Sequence, residues 1–208
     1  MKELKVTDFV NKLASNDPTP GGGAAAGVTA SLGIGAVLMA MRFSTNKKMS
    51  DEERAFLKDK IDQYDQSKDH FIELIDRDAS DFEPLSQAYG LPKDTDEEKE
   101  KRKAAIQEGL KSASQPPVEL LEEVEAVSQD LEKVVPLIKK SIISDLGVGV
   151  QMLRSAIYSS SLNLNINAGQ LKDPDLSQEY RQLATDKVDQ LAQTLDTIYQ
   201  QVQAILAD

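Results

Sequence analysis

Apolar residues recur three and four positions apart over most of this chain, and no stretch alternates with the period of two that a half-buried strand requires. Leu57, Ile61, Tyr64, Phe71, Ile75, Phe82, Leu85 and Tyr89 mark one long helical seam, interrupted at Lys68 and Asp78. Leu121, Val124, Leu131, Val135, Ile138 and Ile142 mark a second, with a kink predicted at Pro136. Val188, Leu191, Leu195, Ile198, Val202 and Ile205 mark a third. A fourth element has another character. Pro18-Thr19-Pro20-Gly21-Gly22-Gly23 leads into small and apolar residues, and no charge occurs between Asp17 and Arg42. This reads as a stiff turn and a flexible glycine strip feeding a buried helix. Gly23, Gly27, Ser31 and Gly35 recur at every fourth position, a ridge of small residues on which a second helix packs closely. The pattern predicts an all-α fold, a bundle of long antiparallel helices with a buried glycine-rich helix, in a single domain over residues 1–208.

Helix starts punctuate these seams. Ser50 with Glu53, and Thr95 with Glu98, have the spacing of the capping box, in which hydroxyl and carboxylate each satisfy a free backbone N–H. Asp173-Pro174 places a cap before a proline at the first helical position, and Thr7 is the expected cap of a short first helix over 8–15.

A formal net charge of -11 over 208 residues argues against double-stranded nucleic acid or an anionic membrane as a partner, because the long-range field repels both. There is no cysteine, hence no disulfide, thiolate metal site or cysteine nucleophile. The uncharged stretch is long enough to span a membrane, but it is rich in Gly, Ala, Ser and Thr and lacks flanking interfacial aromatics. A buried core helix is the better reading. No hydrophobic signal core follows the charged first residues, so a cytoplasmic protein is expected.

Asp78 stands out because it sits where its seam asks for a hydrophobe. A carboxylate there is paired, hydrogen-bonded or open to a cleft. Burial would raise its pKa and suit it to proton transfer, whereas a structural ion pair with Lys68 or Arg77 is the bland alternative. Asp81 lies one helical step away. Ser144-Asp145 opens a further helix whose face carries Asp145, Gly149, Met152, Ala156, Ser160, Asn163 and Asn167, and this face either packs closely on another helix or lines a polar groove. Arg42, Lys47 and Lys48 form a basic island that either complements a helix dipole or binds an anion. The sole histidine, His70, has no second ligand spaced around it for a metal, and no role is assigned to it.

Taken in order, Pro18 to Gly23 (PTPGGG), Asn46-Lys47-Lys48, Asp78-Ala79-Ser80-Asp81-Phe82, Tyr89 to Lys93, Ala105-Ile106-Gln107, Ser144-Asp145 and Leu162 to Asn167 resemble the formiminotetrahydrofolate cyclodeaminase and methenyltetrahydrofolate cyclohydrolase family across most of the chain. Ala24 stands where that family commonly has Ser. The resemblance implies a helical homodimer that binds a reduced folate in a groove near the subunit interface, with no metal and no cofactor beyond the tetrahydrofolate-derived substrate. It implies a bridging one-carbon unit as the reacting centre. One reaction hydrolyses 5,10-methenyltetrahydrofolate to 10-formyltetrahydrofolate; the other closes formiminotetrahydrofolate to the methenyl form with loss of ammonia. Asp78 and Asp145 are then the expected catalytic acids, converging on one crevice, and Pro20, Gly21, Gly22, Gly23, Lys47, Asp81, Asn163 and Asn167 the substrate-binding residues. No fused formiminotransferase segment is seen, which favours the cyclohydrolase; a helical adaptor without catalysis is the third possibility.

Overall fold

In the computed structural model, which describes residues 1–207, the chain forms seven α-helices, and no strand occurs among the described residues. They are α1 (Val6–Leu13), α2 (Gly22–Ser44), α3 (Asp51–Tyr89), α4 (Asp96–Val134), α5 (Ile143–Ala168), α6 (Pro174–Gln182) and α7 (Val188–Ala207). Both capping boxes form: Ser50 and Thr95 accept the backbone N–H of Glu53 and Glu98, whose carboxylates reach back to the cap N–H groups. Asp173 caps α6 through the N–H groups of Asp175 and Leu176. Thr7 does not cap α1. Lys5 is the extended residue before the helix, which begins two residues early at Val6.

The long helices pack as antiparallel neighbours. On α2, Gly27 lets Ile75 and the backbone at Phe71 of α3 come close. On its other side Gly33 meets Gly149 of α5 so tightly that a Cβ on either glycine would run into the opposite backbone. The Tyr64 hydroxyl of α3 donates to the Val127 carbonyl of α4 at 2.9 Å, and Gly109 of α4 admits the Leu85 backbone. Arg154 of α5 is bound to Asp196 of α7 at 2.6 Å. One apolar core unites these elements, from Ala30, Ile34 and Met41 through Phe71, Leu121, Val150 and Leu153 to Leu195 and Ile198. α2 has the length and hydropathy of a membrane span, yet 56% of its apolar window is buried between α3 and α5. It is a core helix.

Prolines act differently from expectation. Pro136 does not kink a helix; α4 stops at Val134 and a 3-10 turn spans Val135–Leu137. Pro116 and Pro117 lie buried inside α4, which continues through them. The missing N–H of Pro117 frees the Ala113 carbonyl, and the Asn167 side-chain amide of α5 donates to that oxygen at 3.3 Å and to Ser114 Oγ at 3.2 Å. The Ser160 hydroxyl then donates to the Pro117 carbonyl at 3.1 Å.

Candidate active site

α2 starts at Gly22, and its N-cap residue, Gly21, offers no side-chain cap. Its first-turn N–H groups need acceptors, and the one at Ala24 donates to Asp78 Oδ2 of α3 at 2.9 Å. Only glycine permits this approach from residue 23, where a Cβ would overlap the Asp78 carboxylate. A Cβ at Gly22 would lie 3.7 Å from Asn163 Oδ1 of α5, and one at Gly21 would meet nothing within 4 Å. Three helices therefore converge on an open glycine corner, with an acid on one side and an amide on the other. Pro20 is buried behind it, in a cis peptide with Thr19. Ala24 contributes its backbone, while its methyl packs on Phe9 and Ile75, so the Asp78 contact does not require a hydroxyl at this position.

Burial pushes the Asp78 carboxyl above its ordinary range; the Ala24 N–H works in the opposite direction, and the nearby charge of Asp81 adds to the rise. The ion-pair alternative fails, because both candidate cations are engaged elsewhere. Arg77 holds Glu119 Oε2 of α4 at 2.5 Å and Asp81 Oδ2 at 3.1 Å. Lys68 lies 3.1 Å from Asp65 and 3.2 Å from Asp69. Hydrogen bonding to Glu119 raises the Arg77 pKa. Burial alone would raise Glu119, but Arg77 and His70 outweigh it and hold that carboxyl below its usual value. His70 Nε2 lies 3.1 Å from Glu119 Oε2. Among the described residues no group of three His, Cys, Asp or Glu is arranged to hold a metal ion.

Asp81 is thus beside Asp78 but bound to Arg77, and Asn163 borders the corner while its amide donates to the Ser159 carbonyl at 3.2 Å. Asn167 is buried, and its amide is engaged by the Ala113 carbonyl and Ser114 Oγ of α4 at the Pro117 break.

Lys47 and Asp145 belong to the opposite end of the molecule. The rise of α2 from Gly23 to Ser44 is about 32 Å and that of α5 from Asp145 to Asn163 about 27 Å, and the two helices run antiparallel with Gly22 facing Asn163 at one end and Ser44 facing Lys139 at the other. Within one protomer the two acids do not converge, and Lys47 does not reach a ligand held at Asp78. There Lys47 and Lys48 border a cleft of about 680 Å³ with Asn46, Met49, Pro136 and Lys139. Asn46 folds the loop by accepting the Lys48 N–H at 2.8 Å and donating to the Ser44 carbonyl at 2.7 Å. Lys139 caps α2 through the Phe43 carbonyl. Arg42 is withdrawn from the basic island by its ion pair with Asp65. Asp145, in the first turn of α5, accepts from the Ser144 hydroxyl at 3.4 Å.

Between these ends α2 and α5 leave a shared uncharged surface. Thr29 of α2 lines one groove of about 560 Å³ together with Val148, Met152 and Ser155 of α5. Leu32 and Phe43 of α2 and Val148, Leu162 and Ile166 of α5 are each more than half exposed.

Known proteins share both sequence and architecture with this chain. Residues 5–186 match the formiminotransferase-cyclodeaminase family. A methenyltetrahydrofolate cyclohydrolase of Methylorubrum extorquens is 35% identical over 174 residues, 84% of this chain and 84% of that protein. The formimidoyltransferase-cyclodeaminase of Gallus gallus is 30% identical over 185 residues, 89% of this chain but 34% of that longer protein. The crystal structure of a formiminotetrahydrofolate cyclodeaminase from Thermotoga maritima has the same fold, with a TM-score of 0.79 at 21% identity over 99% of this chain and 97% of that one. With most of its length matched and a relative aligned nearly end to end, the chain belongs to the formiminotransferase-cyclodeaminase family.

Proposed function

We propose that this protein hydrolyses 5,10-methenyltetrahydrofolate to 10-formyltetrahydrofolate, with Asp78 as the proton-transferring group. The observation that carries this reading is the partly buried, cation-free Asp78 carboxylate lodged against the glycine N-terminus of α2. Water attacks the electrophilic carbon between N5 and N10 and gives one proton to Asp78. The tetrahedral carbon then bears a hydroxyl and both nitrogens. As the hydroxyl loses its proton to solvent and becomes a carbonyl, the carbon–N5 bond breaks and Asp78 returns its proton to N5. The formyl group remains on N10, and one proton is released overall. A carboxyl with a raised pKa suits both halves, being a stronger base than a free aspartate and a competent acid once protonated. Asn163 offers an amide to the pterin edge, and the glycine backbone lets the ring approach closely.

The second functional unit is a second copy of the chain. An uncharged apolar face on a protein of net charge -11 is where self-association meets the least electrostatic opposition. A two-fold axis across the middle of α2 and α5 would bring the Lys47 and Asp145 end of one copy to the Asp78 end of the other. Lys47 then holds the anionic carboxylates of the folate tail, and Asp145 orients water or the pterin amide.

Cyclodeamination of formiminotetrahydrofolate is the alternative that the same corner supports, since it passes through a similar tetrahedral carbon. The relative with 35% identity and matching extent is named a cyclohydrolase, which favours hydrolysis. Chain length does not discriminate, because the Thermotoga maritima protein named a cyclodeaminase has the same extent. Loss of methenyltetrahydrofolate absorbance, with no ammonia from the formimino substrate, is the expected result. Asp78→Asn should abolish turnover while the helical content is retained. Full turnover by that variant, or ammonia release without hydrolysis, overturns the assignment.

A further inference from the structure

The Arg77 guanidinium bridges two helices beside the proposed acid, and neither end of the bridge is explained by stability. The Arg77 side chain is 39% exposed, Asp81 24% and Glu119 25%. Ion pairs so open to water contribute little to folding. Their geometry is nonetheless well defined: Nη1 meets Glu119 Oε2 at 2.5 Å and Nη2 meets Asp81 Oδ2 at 3.1 Å, while Ser80 donates to Asp81 Oδ1 at 3.3 Å. Asp81 follows Asp78 by three residues on α3, so both carboxylates lie on one helical face.

We propose that Arg77 is a positioning residue: gripped by Glu119 of α4, it fixes the Asp81 carboxylate beside Asp78 and thereby sets the pH range over which Asp78 exchanges its proton. The inference rests on the reading of Asp78 as the proton-transferring group. From its own helix Asp78 faces Asp81, with Arg77 behind it. From α2 it faces uncharged backbone N–H groups, and across the glycine corner α5 presents the neutral amide of Asn163. From α4 Glu119 faces Arg77 and is bound to it, with His70 of α3 placed between Glu119 and Glu123 on the far side. The N-terminal segment carries the Met1 ammonium and Lys2, both bound at Asp76, so Asp81 is the charge that raises Asp78 and Arg77 is what compensates it.

This arrangement predicts shifts of opposite sign, which a purely structural bridge would not produce. Arg77→Gln leaves Asp81 uncompensated, so Asp78 holds its proton to higher pH, and the acid limb of kcat/KM for methenyltetrahydrofolate moves up by about half a pH unit. Asp81→Asn removes the repelling charge and moves the limb down by about as much. Glu119→Gln frees the guanidinium for Asp81 and also moves the limb down. Arg77→Lys, which keeps the charge, restores much of the wild-type profile. Circular dichroism checks that each variant folds; if Arg77→Gln does not, the Glu119→Gln and Asp81→Asn pair decides. Limbs that coincide with wild type, an Arg77→Gln limb that moves down, or Glu119→Gln and Asp81→Asn limbs that move up, overturn the inference even if Asp78→Asn is inactive. An active Asp78→Asn instead removes the reading on which it rests.

Discussion

Asp78 carries a thermodynamic signature that can be read without substrate. Its carboxyl is raised above the unfolded value, first by burial and then by Asp81, so the folded state binds its proton more tightly than the unfolded state does. Its favourable contribution is therefore complete below the unfolded pKa of about 4 and is lost as pH rises through the folded value. An asparagine at this position does not titrate and can still accept the Ala24 N–H. Asp78→Asn should consequently gain stability relative to wild type as pH rises, so that the difference in Tm is larger at pH 7.5 than at pH 4.5. A constant or shrinking difference in paired thermal melts would contradict a raised Asp78. Part of this residue's role was legible in the sequence, because an acid interrupting an apolar seam demands a partner. Its partner was not. The acceptor role toward Ala24 joins residues 54 positions apart, and it depends on Gly23 having no side chain.

At the scale of the elements, signals that close within one turn were readable and those that bridge helices were not. Ser50 with Glu53 and Thr95 with Glu98 name both members of a reciprocal cap three residues apart, and both form. The Arg77–Asp81 pair has the helical spacing that suggests contact, but Glu119 comes from α4 and no local pattern announces it. The polar face that Asn167 shares with Asn163 suited either close packing or a groove, and only the family resemblance placed Asn167 at the substrate. α4 runs unbroken through Pro116 and Pro117 and leaves the Ala113 carbonyl for Asn167 to satisfy, a link between helices that no local pattern announces. Of the predicted small-residue ridge on α2, Gly23 and Gly27 admit α3 whereas a Cβ at Gly35 would meet nothing within 4 Å, and the close backbone crossing with α5 falls off the ridge, at Gly33 on Gly149. A Cβ at Gly149 would sit 2.5 Å from the Gly33 carbonyl oxygen and 2.8 Å from a Val37 methyl. Backbone cannot rotate away as a side chain can. Gly149→Ala should therefore cost about 1–3 kcal/mol by overpacking, lowering Tm by several degrees in a chain of this size. An unchanged melting temperature would show that α2 and α5 can part freely, and the register of Gly22 against Asn163 would lose its anchor.

For the whole molecule, the decisive feature is the separation of two chemically complementary ends by the length of α2. One end holds Asp78, Asp81, Asn163 and the glycines; the other holds Lys47, Lys48 and Asp145. The ordered motifs carry no hint of this separation, because long helices that pair antiparallel place the two ends of one segment far apart and bring distant segments together. If two copies join through the uncharged faces of α2 and α5 in antiparallel fashion, each site draws its acid from one chain and its tail-binding lysine from the other. Mixing then becomes diagnostic. Asp78→Asn and Lys47→Ala should each be impaired alone at low substrate concentration, but a heterodimer of the two contains one site with native Asp78 and native Lys47 and one site with neither. Random reassociation of equal amounts makes half the dimers mixed, so activity should recover to about a quarter of wild type. Sites contained within one protomer would give only the average of the two impaired parents. Sedimentation of the wild type as a dimer, with Leu162→Asp shifting it toward monomer and abolishing the recovery, would tie the regained turnover to that face, because a charge placed there must be desolvated when the copies meet.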